Sequence, residues 1–111
     1  MPATIGIFAG TVVFGSTPTT SAGIRANGDW VDIVLALTGM TGTSPSITCE
    51  VQWSMDGGTW ASAAPADVFD PLTAPGTVAR RFETKAPYFR VSITVTGTNT
   101  PTFTGTANAY C

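Results

Sequence analysis

Carboxylates are the first side chains to consider for chemistry in this sequence. Asp67 and Asp70 form one closely spaced pair, and Asp29 and Asp32 form another. Either pair could offer oxygen ligands to Ca²⁺, but neither has the dense Asp/Asn spacing of a dedicated calcium loop. Acid/base cleavage of a glycoside needs two carboxylates across a cleft, and the spacing identifies no such pair. We therefore expect no metal site.

Nucleophilic catalysis is also poorly supported. The sequence contains no histidine, so a Ser or Cys nucleophile lacks its commonest base. No Gly-x-x-x-x-Gly-Lys loop for phosphate occurs. Cys49 and Cys111 allow at most one disulfide, and two free thiols with Cys49 buried is the simpler expectation. The residues predict a protein that is not an enzyme and has no cofactor.

The sharpest local motif is a turn, defined by Ser54, Asp56, Gly57 and Trp60. Asp-Gly between two strands is a strong hairpin signal, because Gly accepts positive φ and the Asp side chain can bond nearby backbone. The motif resembles the Asp-box hairpin of sialidase-like propellers, although it is one residue shorter. It is also similar to the Ser-x-Asp-Gly-x-x-Trp turn of discoidin-like sandwiches. In those families the turn chiefly stabilises the fold, which is the role expected here.

Five further residues are candidates for contacts with a partner: Trp30, Phe69, Tyr88, Arg80 and Arg81. Aromatic side chains in loops often anchor protein or sugar contacts. The alternative is that Trp30 and Phe69 cap the ends of the core. Arg80 and Arg81 are the only adjacent basic pair, and a solvated strand edge is favoured for them over a phosphate site.

Composition excludes several classes of protein. The 111 residues carry a formal net charge of −2, and only 11% of them are charged. No basic patch is available to replace the counterions of a nucleic acid. No apolar run approaches the roughly 18 residues of a membrane span, and the first residues lack the basic segment of a signal peptide. We expect a single domain made in the cytoplasm, with no membrane or nucleic-acid partner.

Residue patterning predicts an all-β fold. Gly and Pro recur every 8–12 residues or so, and no window sustains a helical period. The only Ala-rich stretch, 61–67, contains Pro65, so it is expected to form at most one helical turn. Val31–Leu37 is almost wholly apolar, which predicts a central strand covered on both faces. The clearest strands alternate apolar and polar residues, and the predicted set is 11–14, 31–37, 47–54, 77–84, 89–96 and 102–110.

These elements predict an antiparallel β-sandwich, immunoglobulin-like or jelly-roll-like, with about seven to eight short strands. Residues 1–29 are interpreted as an N-terminal arm with a first strand, and 30–111 as the sandwich body of the same single domain. Two segments have a similar pattern, in which Thr-Gly-Thr is followed by Pro and then by an alternating strand. They are Thr41–Thr48 and Thr96–Thr104. Both segments are expected to be hairpin loops between successive strands.

Threonine replaces charge on the outward positions, since 20 of the 111 residues are Thr. Thr favours strands and tolerates solvent. Interfaces are depleted in Lys and Glu, so a surface this poor in charge predicts burial in an assembly. A Thr-rich β protein without such contacts is the simpler alternative.

The order of these pieces is similar to a family of small virion proteins of tailed bacteriophages, often head decoration (cement) proteins and sometimes tail or fibre modules. The resemblance covers about residues 30–110, and each piece alone is weakly specific. The pieces are Ile33–Leu37, Thr41–Pro45, Ser54–Trp60, Tyr88–Val95 and Gly97–Thr104.

The resemblance implies a non-enzymatic structural protein of the virion, assembled in the host cytoplasm. It would stabilise the capsid through repeated contacts with the major capsid protein and with copies of itself, and the N-terminal arm could clasp a neighbouring subunit. The alternative is a tail, baseplate or fibre sandwich that binds glycan. That alternative needs exposed aromatic platforms such as Trp30, Phe69 or Trp60.

Overall fold

The computed structural model describes residues 4–8, 10–26 and 28–110. In these ranges the chain is all-β and antiparallel, without a helix, as the sequence predicts. Accordingly, no helix among these residues is long and apolar enough to cross a membrane. The strands are β1 (Thr4–Gly6), β2 (Val12–Phe14), β3 (Thr19–Thr20), β4 (Ile24–Arg25), β5 (Trp30–Ser54), β6 (Ala61–Val68), β7 (Gly76–Glu83) and β8 (Tyr88–Tyr110).

Two of the strands, β5 and β8, are far longer than expected, with 25 and 23 residues. A straight strand of 25 residues would span roughly 80 Å at about 3.3 Å per residue. The molecule measures 38 Å along its longest axis, so both strands must bend. They pair with each other along nearly their whole length, from Asp32 with Tyr110 to Ser54 with Tyr88.

The shorter strands cover the outer edges of this central pair. β6 and β7 follow one another along β5, and β1, β2, β3 and β4 follow one another along β8. The result is one sheet, four strands wide, that folds over at the bends of β5 and β8. The two layers of the sandwich are the two halves of this sheet.

The core lies between the two halves, because each long strand buries every second side chain. β5 buries Val31, Ile33, Leu35 and Leu37 in one half, and Ile47, Cys49, Val51 and Trp53 in the other. β8 contributes Phe89, Val91, Ile93, Val95, Phe103, Ala107 and Ala109. All of these residues belong to one hydrophobic cluster. The alternation found in the sequence therefore identifies the core face of both long strands correctly.

The bend is formed by the two Thr-Gly-Thr segments, 41–45 and 96–101, which lie against each other. Thr41 pairs with Thr102 and Thr43 with Thr98, with shifts of register on either side. The expectation that these segments are two separate hairpin loops is wrong. Each one interrupts a long strand, and the strand continues into the other half of the sheet.

Hydroxyl and amide groups replace ladder hydrogen bonds at the bend. Thr41 Oγ1 donates to the carbonyl of Thr100 at 3.3 Å, and Asn99 Nδ2 donates to Thr43 Oγ1 at 2.6 Å. The backbone at Gly42 has φ +92°, and a Cβ there would lie 2.7 Å from Cα of Pro101. Only glycine suits this position, because it combines positive φ with close approach of a neighbouring backbone.

Two other expectations differ from the structure. Val31–Leu37 is central but buried on one face only, with Val34 and Ala36 partly exposed on the other. The Ala-rich stretch is not a helical turn. It forms strand β6, which pairs with β5. Residues 1–29 contain four short strands in their described part. All four pair with β8 of the same chain.

Replacing Gly42 tests the role of the bend. We expect Gly42→Ala to lower the free energy of unfolding by about 2–4 kcal/mol, from left-handed strain and the clash with Pro101. Gly39→Ala is the matched control on the same strand, since a Cβ at Gly39 meets nothing within 4 Å. Urea unfolding followed by Trp fluorescence measures both variants. Equal losses in the two would contradict the account of the bend.

Candidate functional site

The motif at Ser54–Trp60 forms the turn between β5 and β6. Ser54 is buried, and its hydroxyl accepts from the amide of Gly57 at 2.8 Å while it donates to Asp56 Oδ1 at 2.9 Å. Asp56 Oδ1 also accepts from the amides of Gly58 at 2.9 Å and Thr59 at 2.8 Å. Gly57 has φ +79°, which is why glycine follows the aspartate.

These hydrogen bonds favour the ionised form of Asp56. They lower the pKa of Asp56 to about 2. The hydrogen bond from the amide of Thr59 has the largest effect, followed by those from the amide of Gly58 and the hydroxyl of Ser54. A carboxylate that accepts several N–H bonds is expected to behave in this way. Asp56 is exposed, so the turn presents a negative charge to solvent that persists at any physiological pH.

Next to the turn, three side chains close one end of the core. The indole Nε1 of Trp53 donates to Asp67 Oδ2 at 2.8 Å. Lys85 Nζ lies 2.8 Å from the same oxygen and 3.1 Å from Asp67 Oδ1. The Lys85 ammonium also lies over the Trp53 ring, 5.5 Å from its centroid. Asp67 thus satisfies the indole and one cation together, which leaves it unsuited to a metal site.

An apolar pocket of about 360 Å³ opens between the turn and this closure. The floor is the Trp53 ring, and the wall includes Ala61 and Ala86. Met55 lines it and is 75% exposed, which is unusual for a large apolar side chain. The sequence marked the turn as a stabilising element but gave no signal for the pocket, since its residues come from two segments, 53–61 and 85–86, that are distant in sequence.

The last residue of the turn motif, Trp60, packs against the polypeptide on both sides. A Cβ at Gly23 would lie 2.9 Å from the indole, so Gly23 lets the ring approach the backbone. The guanidinium of Arg90 stacks over the ring at 4.8 Å. Tyr88 is partly buried in a similar way, beneath Arg25 at 5.6 Å. A guanidinium therefore lies over one face of each ring.

Arg81 and Trp30 do reach the surface, on the outer side of β5 and β7. Arg81 forms a two-pronged ion pair with Asp32, with Nε 2.7 Å from Oδ1 and Nη2 3.0 Å from Oδ2. The bond from Arg81 holds the pKa of Asp32 below its usual value. Trp30 is 50% exposed, and the Arg81 guanidinium lies 5.7 Å from its ring centroid. Arg81 therefore neutralises a carboxylate and carries no free charge for a phosphate.

Arg80 and Phe69 have different roles. Arg80 is exposed on β7, at 3.9 Å from the fully exposed Asp70 and 5.6 Å from the Phe82 ring centroid. In the described ladders, β7 pairs only with β5, which agrees with the edge-strand interpretation of the arginines. Phe69 is only 5% exposed and packs on Phe82 at 5.7 Å. It caps the core, and its selection as a surface contact residue is wrong.

An area without charged side chains covers part of the outside of one half of the sheet, between the Asp32–Arg81 pair and the bend. Paired residues of an antiparallel ladder point to the same side, and the ladders place eight uncharged residues together. We call this surface the neutral face, and its residues are Val13, Val34, Ala36, Thr77, Ala79, Thr104, Thr106 and Asn108. Val13 is 61% exposed. The sequence places Thr104, Thr106 and Asn108 on the polar face of their strand but predicts that Val34 and Ala36 are covered, and only the register brings the eight residues together.

The outer side of the other half carries a chain of charged and polar groups near its middle. Arg90 Nε donates to Gln52 Oε1 at 2.7 Å, and Gln52 Nε2 donates to Glu50 Oε1 at 3.4 Å. The ladder continues with Ser92 and Thr94. Charged residues therefore lie on the outer sides of both halves, and the neutral face is an uncharged area within one of them.

Catalytic chemistry finds little support in the described part of the chain. No group of three or more His, Cys, Asp or Glu side chains there could hold a metal ion. Burial, with a smaller contribution from the negative charge of Glu50, raises the pKa of Cys49 to about 12. This free thiol therefore does not supply a thiolate nucleophile. The second cysteine, Cys111, lies outside the described residues.

Together, the fold and these surfaces define an antiparallel β-sandwich protein with an uncharged area on the outer side of one half and an apolar pocket at one end of its core. Comparison with known proteins finds no matching family model, no matching curated protein and no matching solved structure.

The turn gives a prediction for pH dependence. The folded pKa of Asp56 lies near 2, below the roughly 3.9 of an unfolded chain, so its stabilising effect is present above pH 4. The difference in unfolding free energy between the wild type and Asp56→Ala should stay constant from pH 7 to about 4 and shrink as pH falls through 2. NMR titration of the Asp56 carboxyl measures this pKa. Ser54→Ala should raise the midpoint of the titration, because it removes one of the hydrogen bonds to the carboxylate. An Asp56 midpoint near 4 would refute it.

The closure of the core gives a second prediction. Asp67→Ala leaves the nearly buried Trp53 indole N–H without its acceptor, which should cost about 1–3 kcal/mol of unfolding free energy. Asp70→Ala is the control, because the Asp70 side chain is fully exposed and its ion pair measures 3.9 Å. Urea denaturation compares the two variants. The interpretation fails if Asp70→Ala costs as much as Asp67→Ala.

Proposed function

We propose that the protein is a non-enzymatic structural component of a phage virion that decorates and stabilises the capsid. The observation that carries the proposal is the neutral face. The resemblance in the order of the sequence pieces supports the virion as its setting. The partners proposed are the major capsid protein and further copies of this chain.

An uncharged face of small side chains suits such a role for a physical reason. Burying a charged group without a partner is costly, whereas the methyl groups of Val34, Ala36 and Thr106 lose water at little cost. Each contact is modest, but a shell repeats it by symmetry. Binding only to the assembled shell stabilises that state by mass action against the pressure inside a filled head.

The edge of the sheet formed by β6 and β7 is poorly suited to association, which also favours the face. β7 presents Arg80 and Arg81 along its open edge, and charged edge strands resist pairing with another chain. The pairing of β6 with β5 shifts its register between Val51 and Gln52 of β5, and β6 contains Pro65. Pro and bulges likewise discourage pairing at an edge. Contacts through the face give a closed arrangement on a shell and avoid edge-to-edge fibres.

The glycan-binding alternative has less support. It requires several exposed aromatic rings, but Phe69 is buried and Trp60 lies between Gly23 and Arg90. Trp30 is half exposed, with Arg81 near its ring. A single partly covered ring is a weak platform for a sugar.

A pair of matched variants tests the proposal. Thr106 lies on the neutral face and Thr94 on the outer side of the other half, and both are partly exposed residues of β8. We expect Thr106→Lys to weaken shell binding at least about tenfold, because it buries an unpaired charge, while Thr94→Lys binds like the wild type.

Binding is measured by cosedimentation with empty expanded shells of the proposed partner, the major capsid protein. Circular dichroism confirms that both lysine variants fold. No association of the wild type with these shells would refute capsid decoration. Equal loss of binding in the two variants would refute the role of the neutral face.

A further inference from the structure

The apolar pocket beside the turn is a second surface that the proposed function does not use. It takes its lining from the end of β5, the turn, the start of β6 and the segment before β8. Its volume of about 360 Å³ lies at the small end of the range for binding pockets, roughly 300–1,000 Å³. It therefore suits one or two side chains. Trp53 and Met55 supply most of the apolar character, and a thioether adapts easily to the shape of an occupant.

The polar groups of the pocket limit what can enter it. The ammonium of Lys85 already has three acceptors: both carboxylate oxygens of Asp67, and the carbonyl of Glu83 at 3.1 Å. The indole N–H of Trp53 is bonded to Asp67 as well. Neither residue has a donor left for an incoming anion.

Asp56 is the remaining charged residue in the lining, and it has an available acceptor. Its Oδ1 receives all of the hydrogen bonds that hold the turn, while Oδ2 receives none from the described residues. The Lys85 charge is balanced by Asp67, and no cation within the described chain balances Asp56. The rim of the pocket is therefore net negative.

We propose that this pocket docks a segment of a partner protein in which an apolar side chain stands next to a lysine or arginine. The apolar side chain lies on the Trp53 ring between Met55 and Ala61. The neighbouring cation pairs with Asp56 Oδ2. This site is independent of the neutral face, so it stands or falls separately from capsid decoration.

Short capped peptides are the probes, added to the isotope-labelled protein and followed by NMR. We expect acetyl-Phe-Arg-amide to bind with a dissociation constant on the order of 1 mM and to shift the Trp53 indole and Met55 methyl signals. Acetyl-Phe-Glu-amide and acetyl-Gly-Arg-amide should bind clearly more weakly, because one lacks the cation and the other lacks the apolar side chain.

Two variants locate the site. Asp56→Asn keeps the Oδ1 acceptor of the turn but removes the charge, and it should weaken the Phe-Arg peptide about two- to fivefold. Asp70→Asn, which removes a different exposed charge, should leave binding unchanged. Ala61→Leu fills the pocket and should abolish the shifts, and its own spectrum reports whether it folds.

Three results would overturn the proposal. The first is equal binding of the Arg and Glu peptides, and the second is an unchanged affinity in Asp56→Asn. The third is self-association of the wild type that Ala61→Leu removes, because the occupant would then be a second copy of this chain.

Discussion

The architecture depends on the contact between two short segments, 41–45 and 96–101. Each is a break in a strand that would otherwise run far past the length of the molecule. Gly42 and Gly97 allow the backbones to cross closely, and Pro45 and Pro101 are buried where they meet. Because both long strands bend at the same place, one sheet becomes two layers and the alternate side chains of both halves share one core.

This arrangement gives threonine two distinct uses. At and near the bend, threonine hydroxyls donate hydrogen bonds to backbone carbonyls of the facing strand. Thr41 donates to the carbonyl of Thr100, and Thr96 donates to the carbonyl of Ser46. On the neutral face, Thr104 and Thr106 instead stand outward beside small apolar residues. The high Thr content is therefore partly a requirement of the fold, and the evidence for an interface lies in where charge is missing. Charge is missing from the neutral face itself, whereas Asp32 and Arg81 lie beside it and Glu50 and Arg90 lie on the outer side of the other half.

Much of the fold could be predicted from the sequence, because strict alternation from Ile47 to Trp53 and from Phe89 to Val95 reflects a sheet with one buried face. The continuity of the long strands could not be predicted, since Gly and Pro at a bend look the same as Gly and Pro in a hairpin loop. The Ser54–Asp56 turn was visible because its bonds are local. The neutral face and the pocket depend on register and on distant segments, which single-sequence patterns do not contain.

The central claim is that the neutral face, centred on Val34 and Thr106, is the surface by which this sandwich joins an assembly. Electron cryo-microscopy of shells carrying the bound protein tests it most directly. The account predicts that the neutral face lies against the shell or a neighbouring copy at every symmetry-related position, with the Glu50–Arg90 side toward solvent. A reconstruction with the neutral face open to solvent would contradict the account.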